Sequence, residues 1–441
     1  MKLYLSYLLT FLIFTIGFSQ EKLQHFSLEE AITFGLQNNR IAKNATRDIA
    51  IAKKIKWETT AIGLPQVSAE IGYKNWMKQQ ISLIDINGDG IEDELIFGTK
   101  QTMNATATVS QLLFDGSYLV GLQAAKVYLK ISENAKVKTD LEIRKTIINA
   151  YGNVLLTQES ILILEKNKTV LEKNIFESTQ IFKNGLGEEE TVEQLQITLS
   201  GVENSLKKTL RLQKVAYQML NITLGLDLNN TTHLTDNLKN LATQNIDLNL
   251  LNSEENTQEN IDYKIANNNK RAKELLLKLQ KTKALPTLSA FLNAGYAGNN
   301  NQFEFLTKEQ RWFGSSLFGV NMSIPIFSSG KRSAITQQAK LNLEKATDDL
   351  TQTEQQLLLQ ISSAKSNYQY AIEDLENKMR NLKLAERIAH KNQVKFTEGL
   401  ASSFELRQAQ VQLYTAQQNY LQAMLTIINE KTNLETILNK V

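Results

Sequence analysis

Strict alternation between apolar and polar residues marks two stretches in each half of the chain. Residues 67–74 and 103–110 alternate in the first half, and residues 288–296 and 318–324 alternate in the second. Alternation with a period of two residues predicts β-strands with unlike faces. Two structures have such faces: a soluble sheet that buries its apolar side, and the wall of a membrane barrel with an apolar outside and a polar inside.

Each pair of predicted strands is followed by an unusually long polar pattern without proline. It predicts helices over residues 118–184 and 331–398, which are far longer than a globular domain needs. Their apolar positions keep a heptad-like spacing, which is typical of coiled-coil contact with water on the remaining faces. A glycine ends each long helix, and the chain is expected to return as a helix to about Leu224 or Ile437. The pattern therefore predicts two long antiparallel helical hairpins.

The two halves of the chain are copies of one another. The turn Leu113–Gly116 matches Ile326–Gly330, and beyond one extra serine the copies keep a constant separation as far as Gly185 and Gly399. A register held without a gap over so long a stretch is typical of helices rather than loops. The chain is therefore an internal duplication of strands followed by a helical hairpin.

The first residues have the composition of a signal peptide. Lys2 precedes an apolar stretch too short for a membrane-spanning helix, and Gly17–Ser19 is a small-residue cleavage site. No later segment is expected to span a membrane as a helix, so a crossing would use strands. The chain is predicted to have four parts: a signal peptide at 1–19, a first repeat at 20–226, a connector at 227–252 and a second repeat at 253–441.

Each repeat is predicted to open with a helix that a Leu-Pro pair ends. Ser27 and Glu30 have the spacing of a capping box, so one helix should run from there to about Ala61. The corresponding helix of the second repeat is expected at about 260–283.

Composition and motifs narrow the possible functions. The formal net charge of +3 is spread along the chain and gives no nucleic-acid-binding surface. The chain has no cysteine, which excludes disulfides and thiolate chemistry. It carries no phosphate loop, dinucleotide motif or nucleophile elbow, and its three histidines, His25, His233 and His390, are far apart in sequence. We therefore expect neither an enzyme nor a bound cofactor.

Four strands are too few to close a barrel. The smallest membrane barrels have about eight strands, and an open edge in lipid would leave backbone groups without hydrogen bonds. A chain that crosses a membrane with these strands must therefore assemble with other copies. Two copies would give about eight strands and a lumen filled by side chains, whereas three would give about twelve and an open pore.

One acidic loop has the pattern of a calcium site. Four residues have the spacing of the first ligands in a calcium loop: Asp85, Asn87, Asp89 and Asp93. Ile96 stands where the bidentate carboxylate should follow. We favour an acidic hairpin turn over a weak calcium site, because Asn-Gly and Asp-Gly are typical of such turns.

Glutamates cluster at the far ends of the helical hairpins. Glu405 follows Ser402 with the spacing of a capping box, and Glu188–Glu190 begin a helix, where the dipole favours carboxylates. Around a symmetry axis, however, one carboxylate per chain would form a ring that can filter ions at a constriction. Both interpretations of Glu405 stay open at this point.

Together these features resemble the TolC-like outer-membrane efflux proteins. The resemblance is carried by the signal peptide, the first helix at Ser27–Ile32, the Leu-Phe-Asp-Gly turn at Leu113–Gly116, the glycine tips and the duplication. It implies a mixed, mostly α protein with long helical hairpins that form an α-barrel, and four membrane strands per chain in a trimeric twelve-stranded β-barrel. The implied function is an outer-membrane channel, with its helical part in the periplasm, for efflux or export of small molecules or type I secretion substrates.

The resemblance also implies partners and site residues. The partners would be further copies of the chain in a homotrimer, a periplasmic adaptor protein, an inner-membrane pump and the outer-membrane lipid. The pore entrance would fall on Glu405 and Gln408, of which only the first is acidic. The adaptor-docking tips would fall on four residues: Gly185, Leu186, Gly399 and Leu400.

Two positions on the long helices also bear on the resemblance. Tyr151 and Asn153 match a Tyr/Asn pair of the family, whereas the second repeat has Lys365 where a tyrosine is common. The alternative to a channel is a periplasmic or secreted coiled-coil scaffold without a pore.

Overall fold

The computed structural model describes residues 24–86, 88, 90–253 and 255–440, so the signal peptide expected at 1–19 lies outside the described residues. The chain forms two compact units. The first comprises Met1–Arg47, Asn134–Lys264 and Gln352–Val441, and the second comprises Asp48–Glu133 and Ile265–Thr351. Each unit takes segments from both sequence repeats, and the division of the sequence at residues 226 and 252 remains a prediction.

Long helices dominate both repeats. The α-helices in the described residues are α1 (Leu28–Asn38), α2 (Arg40–Ala61), α3 (Gly116–Lys183), α4 (Glu189–Leu224), α5 (Leu238–Gln244), α6 (Ile261–Thr282), α7 (Lys331–Thr397) and α8 (Ser403–Leu438). The strands are β1 (Gln24–Phe26), β2 (Gln66–Asn75), β3 (Ile81–Ile84), β4 (Asp93–Ile96), β5 (Gln101–Phe114), β6 (Thr232–Leu234), β7 (Thr287–Asn300) and β8 (Trp312–Ser323). The long helices α3 and α7 and their return helices α4 and α8 follow the predicted bounds closely.

Four strands of the second unit form one antiparallel sheet in the order β2-β5-β7-β8. β2 pairs with β5 within the first repeat and β7 pairs with β8 within the second, while the β5–β7 pair joins the two repeats. One row of the register contains Val67, Val109, Leu292 and Phe318, so the apolar positions of all four strands share a face. Among the described residues, β2 and β8 have no strand on their outer sides. Ile324, expected within the last strand, lies beyond the end of β8.

Two further strand pairs were not expected from the alternation. β3 and β4 form a short antiparallel hairpin inside the loop between β2 and β5. β1 and β6 pair in parallel in the first unit, and this pair joins the N-terminal part of the chain to the connector.

The first helix is broken where one continuous helix to Ala61 was expected. Asn39 separates α1 from α2, and its Oδ1 accepts hydrogen bonds from the backbone N–H groups of Ile41 at 2.7 Å and Ala42 at 3.3 Å. Asparagine is a favoured N-cap because its side chain satisfies amide groups that a helix leaves free. The Asn39 Nδ2 also donates to the carbonyl of Thr223 at 2.7 Å, in the last turn of α4. The expectation of a single helix is therefore wrong, because this cap starts a second one.

The second repeat has the same fastening at the start of α6. The Asn260 Oδ1 accepts from the backbone N–H of Asp262 at 2.8 Å, and its Nδ2 donates to the carbonyl of Ile437 at 2.7 Å, near the end of α8. Both asparagines are buried. Each repeat thus ties the start of one helix to the last turn of its own return helix.

The main hydrophobic core lies in the first unit. It packs α1, α5 and parts of the long hairpins around fully buried side chains, among them Tyr151, Leu220 and Tyr368. By length and composition alone, α3 has a window apolar enough to cross a membrane, but 56% of that window is buried inside the protein. The core helix of a soluble protein passes the same test, so the strands remain the elements that suit a membrane crossing.

Candidate functional site

The apolar face of the four-stranded sheet is exposed. Val67, Ile71 and Phe318 lie on this face and are 74%, 75% and 67% exposed. A soluble sheet with one apolar side buries that side under other elements. The open apolar face therefore favours the wall of a membrane barrel.

The opposite face of the sheet is polar. Val109 and Val320 lie on the apolar face, and their neighbours Thr108 and Asn321 lie on the polar face, as the alternation predicted. Hydroxyl and amide side chains are the most numerous on this face, and Glu70 and Lys74 supply the charges that its strand residues carry. The same face also carries four large apolar side chains: Leu112, Phe291, Phe313 and Leu317. Such a face can be in contact with water.

Aromatic side chains gather at one end of the sheet. The ring of Tyr73 lies 5.5 Å from that of Phe303 and 6.0 Å from that of Phe305, centroid to centroid, and Phe305 lies 6.3 Å from Trp312. Tyr73 and Trp312 belong to the apolar face of the register. The loop between β7 and β8 therefore folds onto the apolar side of the sheet, which the sequence did not reveal.

The two helical hairpins end in identical backbone turns. At the first tip Gly185 has a φ of +73°, its N–H donates to the carbonyl of Phe182 at 2.8 Å, and the Leu186 N–H donates to Ile181 at 3.1 Å. At the second tip Gly399 also has a φ of +73°, and Leu400 donates to Lys395 at 2.7 Å. These are the two hydrogen bonds of a Schellman motif, which needs a residue in the left-handed region. The predicted glycine exits are confirmed.

The residue after each tip glycine is an unusually exposed leucine. Leu186 is 81% exposed and Leu400 is 74% exposed. In a Schellman motif the residue at this position often packs back onto its own helix. Here both leucines project away from the hairpins, so each tip presents an apolar side chain.

Glu405 forms the capping box that its spacing predicted. The Ser402 N–H donates to the Glu405 carboxylate at 2.8 Å, and the Glu405 N–H donates to the Ser402 hydroxyl at 3.3 Å. The backbone hydrogen bond from Ser402 lowers the pKa of Glu405 below its ordinary value, and the side-chain hydrogen bond from Ser402 lowers it further. Glu405 and Gln408 are both exposed on α8. The cap is compatible with an exposed charge, so it leaves the pore-entrance role open.

The acidic loop forms the hairpin turn that we favoured. One oxygen of the Asp85 carboxylate accepts from the Gly88 N–H at 2.7 Å, and the other accepts from the Gly90 N–H at 2.9 Å. Asp93 begins β4. Asn87 and Asp89, the other two candidate calcium ligands, lie outside the described residues. Asp85 therefore serves the turn itself, and a weak calcium site at this loop remains the less favoured interpretation.

A buried tyrosine and an aspartate join the N-terminal segment to the connector. The Tyr151 hydroxyl lies 2.8 Å from the Asp236 carboxylate and 2.9 Å from the carbonyl of Phe26. The same carboxylate accepts from the Leu28 N–H at 2.7 Å and so caps α1. Burial, followed by the hydrogen bond to Asp236, raises the pKa of Tyr151 above its ordinary range. Sequence reasoning singled out Tyr151 but missed Asp236.

The second repeat places its tyrosine one helical turn later. Tyr368 is fully buried, its hydroxyl donates to the carbonyl of Asn245 at 2.7 Å, and it accepts from the Asp247 N–H at 2.8 Å. Lys365 instead reaches the carbonyl of Ser253 at 3.0 Å and the carboxylate of Glu255 at 2.9 Å. Lys365 stands where a tyrosine is common in the family, and Tyr368, one turn later, makes the buried tyrosine contact to the connector.

Two histidines that are far apart in sequence meet in the structure. His25 of β1 is paired directly opposite His233 of β6, and their rings stack with centroids 5.3 Å apart and planes inclined by 25°. The sequence-based view that the histidines are scattered is wrong for these two, because the parallel pairing of β1 with the connector cannot be read from local pattern.

Comparison with known proteins shows which proteins this chain is similar to. Residues 255–440 match the family model described as outer membrane efflux protein. Outer membrane protein TolC of Vibrio cholerae serotype O1 is 21% identical over 325 residues, which cover 72% of this chain and 72% of that protein.

Solved structures share the fold along almost the whole chain. A structure of CusC, described in connection with folding and transmembrane channel formation, has a TM-score of 0.75 at 17% identity and covers 93% of this chain and 91% of its own. The outer membrane protein VceC of Vibrio cholerae has a TM-score of 0.72 at 16% identity, with 93% and 95% covered. At these identities the structural likeness shows the fold.

Proposed function

We propose, on the premise that this chain belongs to the TolC-like outer-membrane efflux proteins, that three copies assemble into one channel with a twelve-stranded β-barrel and a barrel of helical hairpins. Such membership would make the protein an efflux channel of the outer membrane, with its helical part in the periplasm, and the matches to outer-membrane efflux proteins support this. The number of copies, the partners and the substrate go beyond that membership.

The open sheet with an exposed apolar face is the observation that carries the proposal. Its edge strands β2 and β8 have no neighbour on their outer sides within the described residues. The bilayer core holds no water that could hydrogen-bond the free backbone N–H and C=O groups of these edges, so the edges must pair with those of other copies. Two copies would close about eight strands around a lumen filled by side chains, whereas three would close about twelve around a water-filled channel. The polar face would then line the lumen.

The aromatic cluster supports the same orientation. Membrane barrels carry girdles of aromatic residues where the apolar band meets the headgroups. Tyr73, Phe303, Phe305 and Trp312 lie on the apolar side at the end of the sheet that carries the long loops. We place this end at the outer surface of the membrane.

The exposed tips suit docking to a periplasmic adaptor protein. Leu186 and Leu400 offer exposed apolar side chains at two equivalent turns, each of which has a glycine with a φ of +73°. An adaptor would recognise the repeated tips and couple the channel to an inner-membrane pump. The pump, rather than the conduit, would select the exported small molecules or polypeptides.

At the same end of the hairpins, Glu405 would supply the charge of the pore entrance. Three copies would bring three carboxylates together, while Gln408 would add hydrogen-bonding groups without charge. Such a ring would favour cations.

Fractionation and conductance together test the proposal. The full-length protein should be recovered with the outer membrane as a trimer that dissociates on heating in detergent, and the purified trimer should form conducting channels in planar bilayers. A periplasmic or secreted scaffold would be soluble without detergent and would give no conductance. Recovery of a soluble, non-conducting trimer would overturn the channel and support the scaffold.

A further inference from the structure

The stacked histidine pair in the first unit is a candidate ligand site outside the channel wall and the tips. His25 and His233 are exposed side chains on neighbouring strands of the β1–β6 pair. Neither imidazole has a hydrogen bond or an ion pair with a described residue. Each neutral ring therefore keeps a nitrogen lone pair available.

The backbone on both sides of the pair is held in place. Phe26 and Thr232, which flank the histidines, are buried, and the Thr232 hydroxyl donates to the Asn221 side chain at 2.7 Å. The Leu28 N–H is bound by Asp236, and the Thr235 N–H donates to the carbonyl of Phe26 at 3.1 Å. Because the strands are anchored from the core side, the backbone that carries the two exposed imidazoles is held in place.

We propose that His25 and His233 bind one divalent transition-metal ion per chain. Imidazole nitrogen is a preferred ligand of Cu²⁺, Ni²⁺ and Zn²⁺. Metal–nitrogen bonds of about 2.0 Å require the two nitrogens to approach to about 3 Å. The rings stack with centroids 5.3 Å apart, so binding would require the exposed side chains to rotate until two nitrogens face one ion.

The surroundings limit which ions fit. The described residues contain no cluster of three or more histidine, cysteine or acidic side chains that could hold a metal, so water would fill the remaining positions. Glu29 lines the same cavity of about 610 Å³ as His25 and adds negative charge near the site. Two imidazoles with water favour Cu²⁺ over Ni²⁺ and Zn²⁺, and exclude the oxygen-seeking Ca²⁺ and Mg²⁺. A bound ion would clamp the N-terminal strand to the connector.

Metal titration of the full-length, tag-free protein in detergent tests the site. Calorimetry with Cu²⁺ should give one ion per chain at micromolar free metal, and electron paramagnetic resonance should show coordination by two nitrogens. His25→Ala and His233→Ala should each weaken binding by about tenfold or more, since each removes one of two protein ligands. His390→Ala, which changes the third histidine on α7, is the matched control and should bind as the unchanged protein does.

Three results would overturn the inference. They are saturation only at millimolar Cu²⁺, unchanged binding by the His25→Ala protein, and equal loss of binding by the His390→Ala protein. Because both pair residues are exposed, these variants should fold, and trimer migration in the same samples checks this. None of these readouts depends on transport.

Discussion

One buried tyrosine in each repeat forms hydrogen bonds to the connector. Tyr151 reaches Phe26 and Asp236, and Tyr368 reaches Asn245 and Asp247. Both rings are fully buried, so a hydroxyl without a partner would be costly there. The sequence indicated Tyr151 only through family resemblance, because the partners are about a hundred residues away along the chain.

Removing either hydroxyl should destabilise the first unit. Tyr151→Phe should lower the free energy of unfolding by about 1–3 kcal/mol, because a hydrogen bond to a half-buried carboxylate is lost. Tyr368→Phe should cost about 0.5–1.5 kcal/mol, since its partners are neutral. Circular dichroism melts of the detergent-solubilised protein would measure both. Tyr128→Phe, at a half-exposed tyrosine, is the control, and equal midpoints for all three variants would contradict the roles of the two hydroxyls.

A substitution at Glu405 can separate its proposed role as a charge at the pore entrance from its role in the capping box. Glu405→Gln keeps a side chain that can complete the capping box but removes the charge. We expect normal folding, reduced cation preference and weaker block by multivalent cations in planar bilayers, with a modest effect because Gln408 is neutral. A variant with wild-type conductance and selectivity would leave Glu405 with the cap alone.

The pH dependence of the same residue has a definite sign. Hydrogen bonds from Ser402 lower the pKa of Glu405 below its ordinary value, so the charge is lost at a lower pH than in a glutamate without this cap. Cation preference in planar bilayers should therefore be lost at a lower pH in the unchanged channel than in the Ser402→Ala channel. Identical pH profiles would count against coupling between cap and charge.

The regular elements followed the sequence patterns closely. Period-two alternation found β2, β5, β7 and β8, and heptad-like spacing in long stretches without proline found α3 and α7, because the repeat of apolar positions differs between a strand and a helix. The break at Asn39 was missed because it depends on a contact that is distant in sequence. The Asn39 side chain donates to the carbonyl of Thr223, and only the folded structure brings the two together. The β1–β6 pair was missed for a similar reason, since such short strands carry no periodic signal.

The hairpin tips are predicted to act as independent elements. Gly185→Val combined with Gly399→Val should distort both turns, because valine strongly disfavours the positive φ of each glycine. Export should fail while trimer abundance in the outer membrane stays unchanged. Gly201→Val is the matched control, since Gly201 lies within α4 with open space around a new side chain. Normal export by the double variant would rule out tip docking.

The barrel wall can be tested at the scale of the assembled molecule. Val109→Arg and Val320→Arg place a charge on the apolar face and should each cost about 2–4 kcal/mol near the membrane midplane. Thr108→Arg and Asn321→Arg, one residue away on the polar face, should be tolerated. The fraction of heat-modifiable trimer in the outer membrane measures the difference. Equal losses on both faces would remove the basis for the barrel.

The strand pairs β2–β5 and β7–β8 are equivalent in the two repeats, and this equivalence predicts the register between neighbouring chains. Ser68 opposite Thr108 in the first hairpin corresponds to Ser289 opposite Asn321 in the second. The junction between the repeats places Val109 opposite Leu292. By the same equivalence, Val109 in β5 corresponds to Met322 in β8, and Leu292 in β7 corresponds to Ile71 in β2.

A barrel of three chains would therefore contain six similar repeats around its axis. The junction between the repeats of one chain (β5–β7) and the junction between chains (β8–β2) should then have similar registers. Met322 of one chain should then lie opposite Ile71 of the partner subunit, both on the apolar face. In a chain without native cysteine, Met322→Cys with Ile71→Cys should cross-link trimers on oxidation, whereas Met322→Cys with Val67→Cys should not. The same register carries the pairing past β8 to Ile324, which is 57% exposed in the single chain. One chain therefore already specifies the seam at which its copies join.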